Sequence, residues 1–436
     1  MADSPPPPEG VAAARGRAGV GARPGIRARL AAMPLLATFA LRDFPFYWLG
    51  TLAYFTVFGA QRFVFIWLVL EISGRAGLAG VVGFALGIPA FFITLPAGVW
   101  ADRMNRGRLV ALVSLVAAAG AIATAGSVWV GVINIPLALL SALALGAAGA
   151  VLQPALTAII SAIVPRELLM NGIVLRTMGQ NLAQIVGASV GGAAIALWGF
   201  GAAFALQAML YALTSLAMFA VRVPMVSARA GAPRAMLPQV LEGLRFVFGN
   251  PALRALMAIM VISGLFMLGP VFVLVPDIAR VKLGEGAFSA SMLFAVTGAG
   301  MFLMSAAIGS LRRLERKGQI FTLNMIIFAP IVLIGMGLAP WYTLLAFFMF
   351  AWGLGGGAFI NLNQTLLQSN TPDHLMGRVM SISSLAIAGV IPLGSLLAGA
   401  AAEVVGADRY LVFCGLAIFV TALAAYLAEP ALLHLD

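Results

Sequence analysis

The chain has 436 residues, of which 62% are hydrophobic and 9% are charged, and its mean hydropathy is +1.04. Soluble proteins carry about 25% charged residues, so this composition excludes a soluble protein and indicates a chain that crosses a membrane many times. The formal net charge of +11 does not indicate a nucleic acid partner, because a polytopic protein gathers Arg on its cytoplasmic side.

Residues 1–40 form a tail rich in Pro and Arg, without the apolar segment of a signal peptide, and we expect it to be disordered and cytoplasmic. Six apolar runs follow in 41–222 and six more in 251–436, with a polar, Arg-containing cytoplasmic loop over 223–250 between them. The predicted fold is an all-α membrane protein with twelve transmembrane helices in two six-helix halves. The runs lie near 45–70, 77–100, 109–131, 135–163, 168–197, 201–222, 251–276, 287–311, 319–338, 341–368, 376–402 and 409–428.

The loops between these runs carry an asymmetric charge. If both termini are cytoplasmic, 20 of the 26 Lys and Arg residues fall on that side and 4 on the other. The positive-inside rule therefore predicts that both termini lie in the cytoplasm.

The two halves also repeat. A shift of 207 residues superimposes three glycines of each half, namely Gly187, Gly192 and Gly199 on Gly394, Gly399 and Gly406. Parallel six-helix repeats related by an axis along the membrane normal are a known transporter architecture.

The loop between the second and third runs concentrates charge in an otherwise apolar region. Its arginines agree with the positive-inside rule, but topology does not account for Asp102. Two interpretations stay open: a solvated topogenic loop, or a gate in which Asp102 accepts from Arg or faces a helix N-terminus. The residues of the proposed gate in this loop are Gly98, Asp102, Arg103, Arg106 and Arg108.

The pattern Gly98-x-x-Ala101-Asp102-Arg103-x-x-Arg106-x-Arg108 resembles the loop signature of the major facilitator superfamily. Further segments are similar to the bacterial branch that includes the enterobactin exporter, and they are Gln61-Arg62, Gln153-Pro154-Ala155, Asn181 ahead of Gly187, and Gly377-Arg378-Val379-Met380-Ser381. The resemblance implies a bacterial inner-membrane exporter in which the acidic loop residue and its Arg partners close the cytoplasmic side against the eleventh span, near Arg378.

Polar side chains within the apolar runs are candidates for a central cavity. A mid-membrane Arg costs about 2.5–3.5 kcal/mol on insertion scales, so Arg62 and Arg176 should face protein or water. On the fifth span, Arg176, Gln180 and Gln184 share one helix face. The alternative is that the amides only join neighbouring helices. The remaining candidates for the cavity are Gln61, Gln153, Asn181, Asn361 and Gln364, with Gln368 on the same face as the last two.

The sequence thus predicts a secondary transporter that exports an amphipathic small molecule, drug-like or siderophore-like, by alternating access. An importer or facilitator is the alternative within transport, and a non-transporting sensor is a further one. A lipid-modifying enzyme would need clustered Asp, Glu or His at a membrane face, so no enzyme, catalytic residue, metal or cofactor is expected. No acidic residue lies at the predicted midplane, so protons as coupling ion are implied by the resemblance alone.

Overall fold

The computed structural model describes residues 37–223, 236–310 and 315–429, and for residues 95–103 and 236–240 it describes the helical backbone without the side chains. Eleven helical segments in this part of the chain are long and apolar enough to cross a membrane. One of them, Leu169–Ala220, is interrupted at Gly199, where φ is 81° and ψ is 178°. Its division there gives twelve spans, which confirms the predicted all-α fold.

The spans are numbered α1 to α12 in chain order. The first half contains α1 (Phe44–Ser73), α2 (Ala76–Arg103), α3 (Arg106–Trp129), α4 (Ile135–Ile163), α5 (169–198) and α6 (200–220). The second half contains α7 (Pro251–Lys282), α8 (Ala287–Ser310), α9 (Lys317–Leu338), α10 (Tyr342–Ser369), α11 (Asp373–Val405) and α12 (Ala407–Ala428). Three π-helical turns interrupt α7 and α9, at Gly264–Leu268, Ile278–Lys282 and Asn324–Phe328.

Asparagine residues begin three of the spans. The Asn105, Asn134 and Asn250 side chains accept hydrogen bonds of 3.0 to 3.2 Å from the backbone N–H three residues later. Each satisfies a donor that has no partner within its own helix, which matters most where a helix begins near hydrocarbon.

The internal repeat is visible in the backbone. Gly199 and Gly406, superimposed by the shift of 207, both have positive φ, at 81° and 92°. They end α5 and α11 in a conformation that L side chains rarely adopt. About three turns before Gly199, a Cβ on Gly187 would lie 2.2 Å from the Thr56 carbonyl oxygen of α1. A Cβ on Gly394 would lie 2.6 Å from the Gly264 carbonyl oxygen of α7, one residue after the equivalent of Thr56, so the two halves pack alike.

The halves meet most closely along two seams, α2 with α11 and α5 with α8, and between these a third, smaller seam brings α1 against α7. A Cβ on Gly399 of α11 would lie 2.7 Å from the Cα of Gly80 in α2. A Cβ on Gly192 of α5 would lie 2.1 Å from the Ser291 hydroxyl of α8. Both contacts lie toward the end of the bundle at which α1 ends and α2 begins, which we name the outer end after its predicted orientation.

A further helix, Met236–Gly249, lies in the segment that the sequence analysis treats as a loop, and we name it the linker helix. Its charged residues, among them Glu242 and Arg245, keep its hydropathy below that of a span, so a search for apolar runs does not find it. It packs on α11, since a Cβ on Gly243 would lie 2.7 Å from Ile382.

Candidate functional site

Two ion pairs join the halves at the outer end. Arg75, in the turn between α1 and α2, donates from Nε and Nη2 to the two carboxylate oxygens of Glu403 on α11, at 3.0 and 2.9 Å. Arg280 of α7 donates from Nε to Glu71 of α1 at 3.2 Å. The hydrogen bonds to Glu403 raise the pKa of the Arg75 guanidinium above its usual value. Each pair links a residue of the first half to one of the second, so separation of the halves at this end must break both.

Two clefts, each of about 610 Å³, flank these ion pairs. Glu71 and Arg280 line the first together with Trp67 of α1. Arg75 and Glu403 line the second, which is strongly charged because it also contains Asp277, Lys282 and Asp408. In the second cleft the Lys282 ammonium lies 3.7 Å from the Asp408 carboxylate, within the second half.

Sequence reasoning did not identify these ion pairs. In the sequence, Glu71 and Glu403 lie near the outer ends of predicted spans and Arg75 and Arg280 lie between spans on the same side, but nothing there pairs them. The sequence does place opposite charges at the same end of the bundle in a chain with few charges, which could have indicated ion pairs there. Which charge meets which depends on how the two halves dock.

Arg176 lies on α5 and reaches two other helices of the first half. Its Nη2 donates to the Thr157 hydroxyl of α4 at 2.8 Å, and its guanidinium carbon lies 6.0 Å from the ring centroid of Phe55 on α1. Its Nε is enclosed and has no hydrogen-bond partner. Gln153, one helical turn before Thr157 on α4, is exposed. The arrangement presents a cation, a hydroxyl and an amide at the meeting of three helices.

The other polar residues of α5 occupy different environments. The Gln184 backbone packs against α1, where a Cβ on Gly59 would lie 2.2 Å from its carbonyl oxygen. The Gln184 and Gln180 side chains are half-buried, and the Asn181 side chain is exposed. The predicted stripe therefore starts at the α1–α4–α5 meeting point and continues along the α1–α5 contact.

Arg62 lies on α1 at the seam with the second half. Its guanidinium carbon is 4.7 Å from the ring centroid of Phe272 on α7. Its side chain is half-buried, and its Nη1 is enclosed without a hydrogen-bond partner. The structure thus separates the two intramembrane arginines: Arg176 contacts the first half, and Arg62 bridges the two halves.

Gln61 is adjacent to Arg62 in sequence but does not lie at the contact between the two halves. It is 8% exposed, and its Oε1 accepts from the Tyr211 hydroxyl of α6 at 2.8 Å. Successive residues of a helix are about 100° apart, so Gln61 points into the first half while Arg62 points across the seam. The structure places Gln61 in a helix–helix contact instead of the space between the halves.

The three amide side chains of α10 also lie in different environments. Asn361 donates from Nδ2 to the Ser305 hydroxyl of α8 at 2.9 Å, within the second half. Gln364 and Gln368, one and two turns further along α10, are exposed. Asn361 therefore joins α8 to α10, and the two glutamines remain available to a ligand or to solvent.

The charged loop between α2 and α3 is described in part. The side chains of Asp102 and Arg103 lie outside the described residues, and Gly98 lies in the same segment, of which only the helical backbone is described. Arg106 donates from Nη1 to the Ala158 carbonyl near the end of α4 at 3.2 Å, and Arg108 is exposed. The described contact of Arg106 thus ties the start of α3 to α4 inside the first half.

Arg378, the predicted partner of that loop, forms an ion pair with Glu242 of the linker helix. Neither that helix nor the pair was predicted from the sequence. The end of α11 away from the outer end is consequently attached to the segment that connects the two halves.

Comparison with known families gives a match over nearly the whole chain. The family model described as transmembrane secretion effector, a group of the major facilitator superfamily, matches residues 34–432.

Among curated proteins, the multidrug efflux pump Tap of Mycobacterium tuberculosis (strain ATCC 25618 / H37Rv) is 29% identical over 395 residues, which cover 87% of this chain and 91% of that protein. Among solved structures, the nucleoside transporter NupG has a TM-score of 0.72 at 15% identity and covers 89% of this chain and 99% of its own. A bacterial homologue of the human lysosomal transporter Spinster, in an inward-facing and occupied conformation, has a TM-score of 0.69 at 16% identity, over 94% and 98% of the two chains. These structural similarities bear on the fold.

Proposed function

The chain belongs to the transmembrane secretion effector family of the major facilitator superfamily and is therefore a secondary transporter, and we propose that it exports amphipathic small molecules across the bacterial inner membrane by alternating access. The substrates are drug-like or siderophore-like. The similarity to a multidrug efflux pump supports export over import.

The observation that carries the proposal is the pair of cross-half contacts at the outer end. Arg75–Glu403 and Glu71–Arg280 lie at the surface and are short, while the seams beneath them consist of close helix contacts at glycine. Exposed ion pairs contribute up to about 1 kcal/mol each, so they bias a two-state equilibrium without locking it. A closed outer end held in this way supports rocking of the two halves about a central site.

The proposed substrate site lies between the halves. Arg176 with Thr157 and Gln153 provides one side, and Arg62 with Phe272 the other. Gln364 and the half-buried amides of α5 complete the polar lining. Aromatic rings and a few polar groups suit amphipathic molecules, because the rings bury apolar surface while the polar groups fix orientation.

The proposed cytoplasmic gate combines the loop residues Gly98, Asp102, Arg103, Arg106 and Arg108 with Arg378 at the start of α11. An acidic residue in this loop would hold the gate closed through Arg or a helix N-terminus. Glu242 then competes for Arg378, so opening and closing would exchange the partner of Arg378.

Protons are the proposed coupling ion, and both termini are proposed to be cytoplasmic. The strong excess of Lys and Arg on one side supports this orientation. The candidates for proton binding are the described carboxylates that line the two outer clefts, namely Glu71, Asp277, Glu285, Glu403 and Asp408.

The test uses inside-out membrane vesicles, in which an exporter concentrates its substrate. Uptake of a panel of fluorescent amphiphiles is expected with wild-type protein, with dependence on an imposed pH gradient. Asp102→Asn and Arg176→Gln should each reduce uptake several-fold, whereas Gly126→Ala, at a position with open space around it, should not. Uptake by right-side-out vesicles only would establish import and contradict the proposal.

A further inference from the structure

Arg62 is a half-buried cation within the membrane, and no anion faces it in the described part of the chain. Eleven residues separate it from the outer end of α1 at Ser73, which is about 16 Å of helix, so it lies deep in the hydrocarbon region. Among the residues that the structure describes, none accepts a hydrogen bond from its guanidinium or forms an ion pair with it. Its recorded partner is the face of Phe272 at 4.7 Å.

Phe272, the ring against the Arg62 guanidinium, belongs to a series of ring contacts that joins both halves. Phe63 and Trp67 of α1 stack with centroids 5.7 Å apart. Phe294 of α8 lies 6.0 Å from Phe63 and 6.0 Å from Phe272, with which it is nearly parallel at 6°. These rings form a wall that joins α1, α7 and α8, with Arg62 at its edge.

A charge at this depth requires compensation. Cation–π contact contributes about 0.5–2 kcal/mol, less than the insertion cost of about 2.5–3.5 kcal/mol for a mid-membrane Arg. A guanidinium has five N–H donors, and its planar fork matches a carboxylate through two parallel hydrogen bonds. This half-buried guanidinium, which has an unpaired Nη1, is therefore suited to an oxygen anion that arrives with a ligand.

One face of α1 extends the site away from the seam. Phe55, Phe58 and Arg62 are spaced by three and four residues, so they lie on one side of the helix over about 10 Å. Phe58 is 42% exposed, and Phe55 contacts the guanidinium of Arg176. Phe55 is wholly buried, so the accessible part of this face is Phe58, where an aromatic body could lie while its charged group meets Arg62.

We propose that the seam between α1 and α7 binds the carboxylate of an aromatic organic anion, with Arg62 as the anion-binding residue and Phe272 and Phe294 as the stacking surface. This inference rests on the proposed function, because it specifies the charge and shape of the exported molecule. Because Arg62 belongs to the first half and Phe272 and Phe294 belong to the second, a bound anion would contact both halves.

The test is a matched pair of probes, dansylglycine, which is ionised at neutral pH, and dansylglycinamide, which is neutral and almost the same shape. Binding to purified full-length protein in detergent is followed by dansyl fluorescence. Wild-type protein should bind the carboxylate about tenfold more tightly than the amide, equivalent to ~1.4 kcal/mol. Arg62→Gln should abolish this preference and leave amide binding within twofold, and Phe272→Leu should weaken both probes.

Two further variants keep the outcome decisive. Arg62→Lys, which retains charge but lacks the planar fork, should show an intermediate preference, and Arg166→Gln, an exposed arginine at the other end of the bundle, should behave as wild type. Equal affinity of wild-type protein for both probes would overturn the proposal. So would an equal loss of both probes in Arg62→Gln protein that elutes as a single species.

Vesicle transport separates this site from the function on which it rests. Protein that prefers the carboxylate but moves neither probe would contradict the proposed export and leave the anion site standing. Protein that transports both probes equally, with no effect of Arg62→Gln on the ratio, would contradict the anion site and leave export standing.

Discussion

Arg75 and Glu403 form a bidentate ion pair across 328 positions of sequence, with Nε–Oε1 and Nη2–Oε2 distances of 3.0 and 2.9 Å. Glu403 also accepts from the backbone N–H of Gly77 at 3.2 Å, so its carboxylate is fixed to the first turn of α2. Two parallel hydrogen bonds impose direction as well as attraction. The pair therefore aligns α2 with α11 at the outer end.

Neutralisation of the outer ion pairs should favour opening at that end. The test uses a Ser291→Cys variant as the labelling site. Residue 291 is wholly buried beneath Gly192, so its thiol is protected while the outer end is closed, and the native Cys414 is also buried. Adding Glu403→Gln should raise the rate of labelling by a membrane-impermeant maleimide from the outer side. We expect an increase of up to about fivefold, because an exposed pair contributes up to about 1 kcal/mol, and a further increase with Glu71→Gln.

Glu167→Gln is the matched control, since Glu167 is exposed near the opposite end. The exchanged pair Arg75→Glu with Glu403→Arg should restore part of the protection that either change alone removes. Unchanged labelling in Glu403→Gln protein would show that the pair does not hold the closed state.

Gly399 should tolerate no side chain in the closed state. A Cβ there would lie 2.5 Å from the Ala76 carbonyl oxygen and 2.7 Å from the Cα of Gly80, which are backbone atoms that cannot rotate away. Gly399→Ala should therefore separate α2 from α11 and lower transport at least about tenfold, with increased labelling at Ser291→Cys.

Gly126→Ala provides the comparison for that substitution, because no atom lies within 4 Å of the added methyl group. It should retain wild-type transport. Equal transport by Gly399→Ala protein would mean that the seam does not need to close this tightly during the cycle.

The Tyr211–Gln61 hydrogen bond should affect stability more than substrate choice. Tyr211→Phe leaves the Gln61 carbonyl oxygen buried without its donor and should cost about 1–2 kcal/mol of stability. The measurement is thermal unfolding in detergent, with the ratio of uptake of two substrates as the second readout. Tyr426→Phe is the control, since the described structure records no hydrogen bond from that hydroxyl. A changed substrate ratio would place Gln61 in the binding site after all.

The linker helix should detach from α11 when Glu242 is neutralised. Glu242→Gln removes the partner of Arg378 and should increase hydrogen exchange across 241–249 by a few-fold, because the helix would keep only its apolar contacts on Ile382. Arg245→Gln, on an exposed position of the same helix, is the matched control. Exchange that rises equally in both variants would assign the effect to the helix itself and not to the ion pair.

The positions of the spans followed from the sequence because hydropathy depends on local composition alone. Each of the twelve apolar runs corresponds to a helix, including the pair separated at Gly199. The repeat was also visible in the sequence, because glycine is strongly favoured where the backbone adopts positive φ, as at Gly199 and Gly406, and where helices approach closely, as at Gly187 and Gly394.

The partners of the polar side chains were decided by tertiary structure. Helical periodicity gives the face on which a residue lies but not the helix that meets that face. Gln61 and Arg62 are both polar and adjacent, yet one bonds to Tyr211 inside its own half and the other contacts Phe272 across the seam. Local composition thus determined which segments enter the membrane, while the docking of the two halves decided which charges meet, because those contacts join residues hundreds of positions apart.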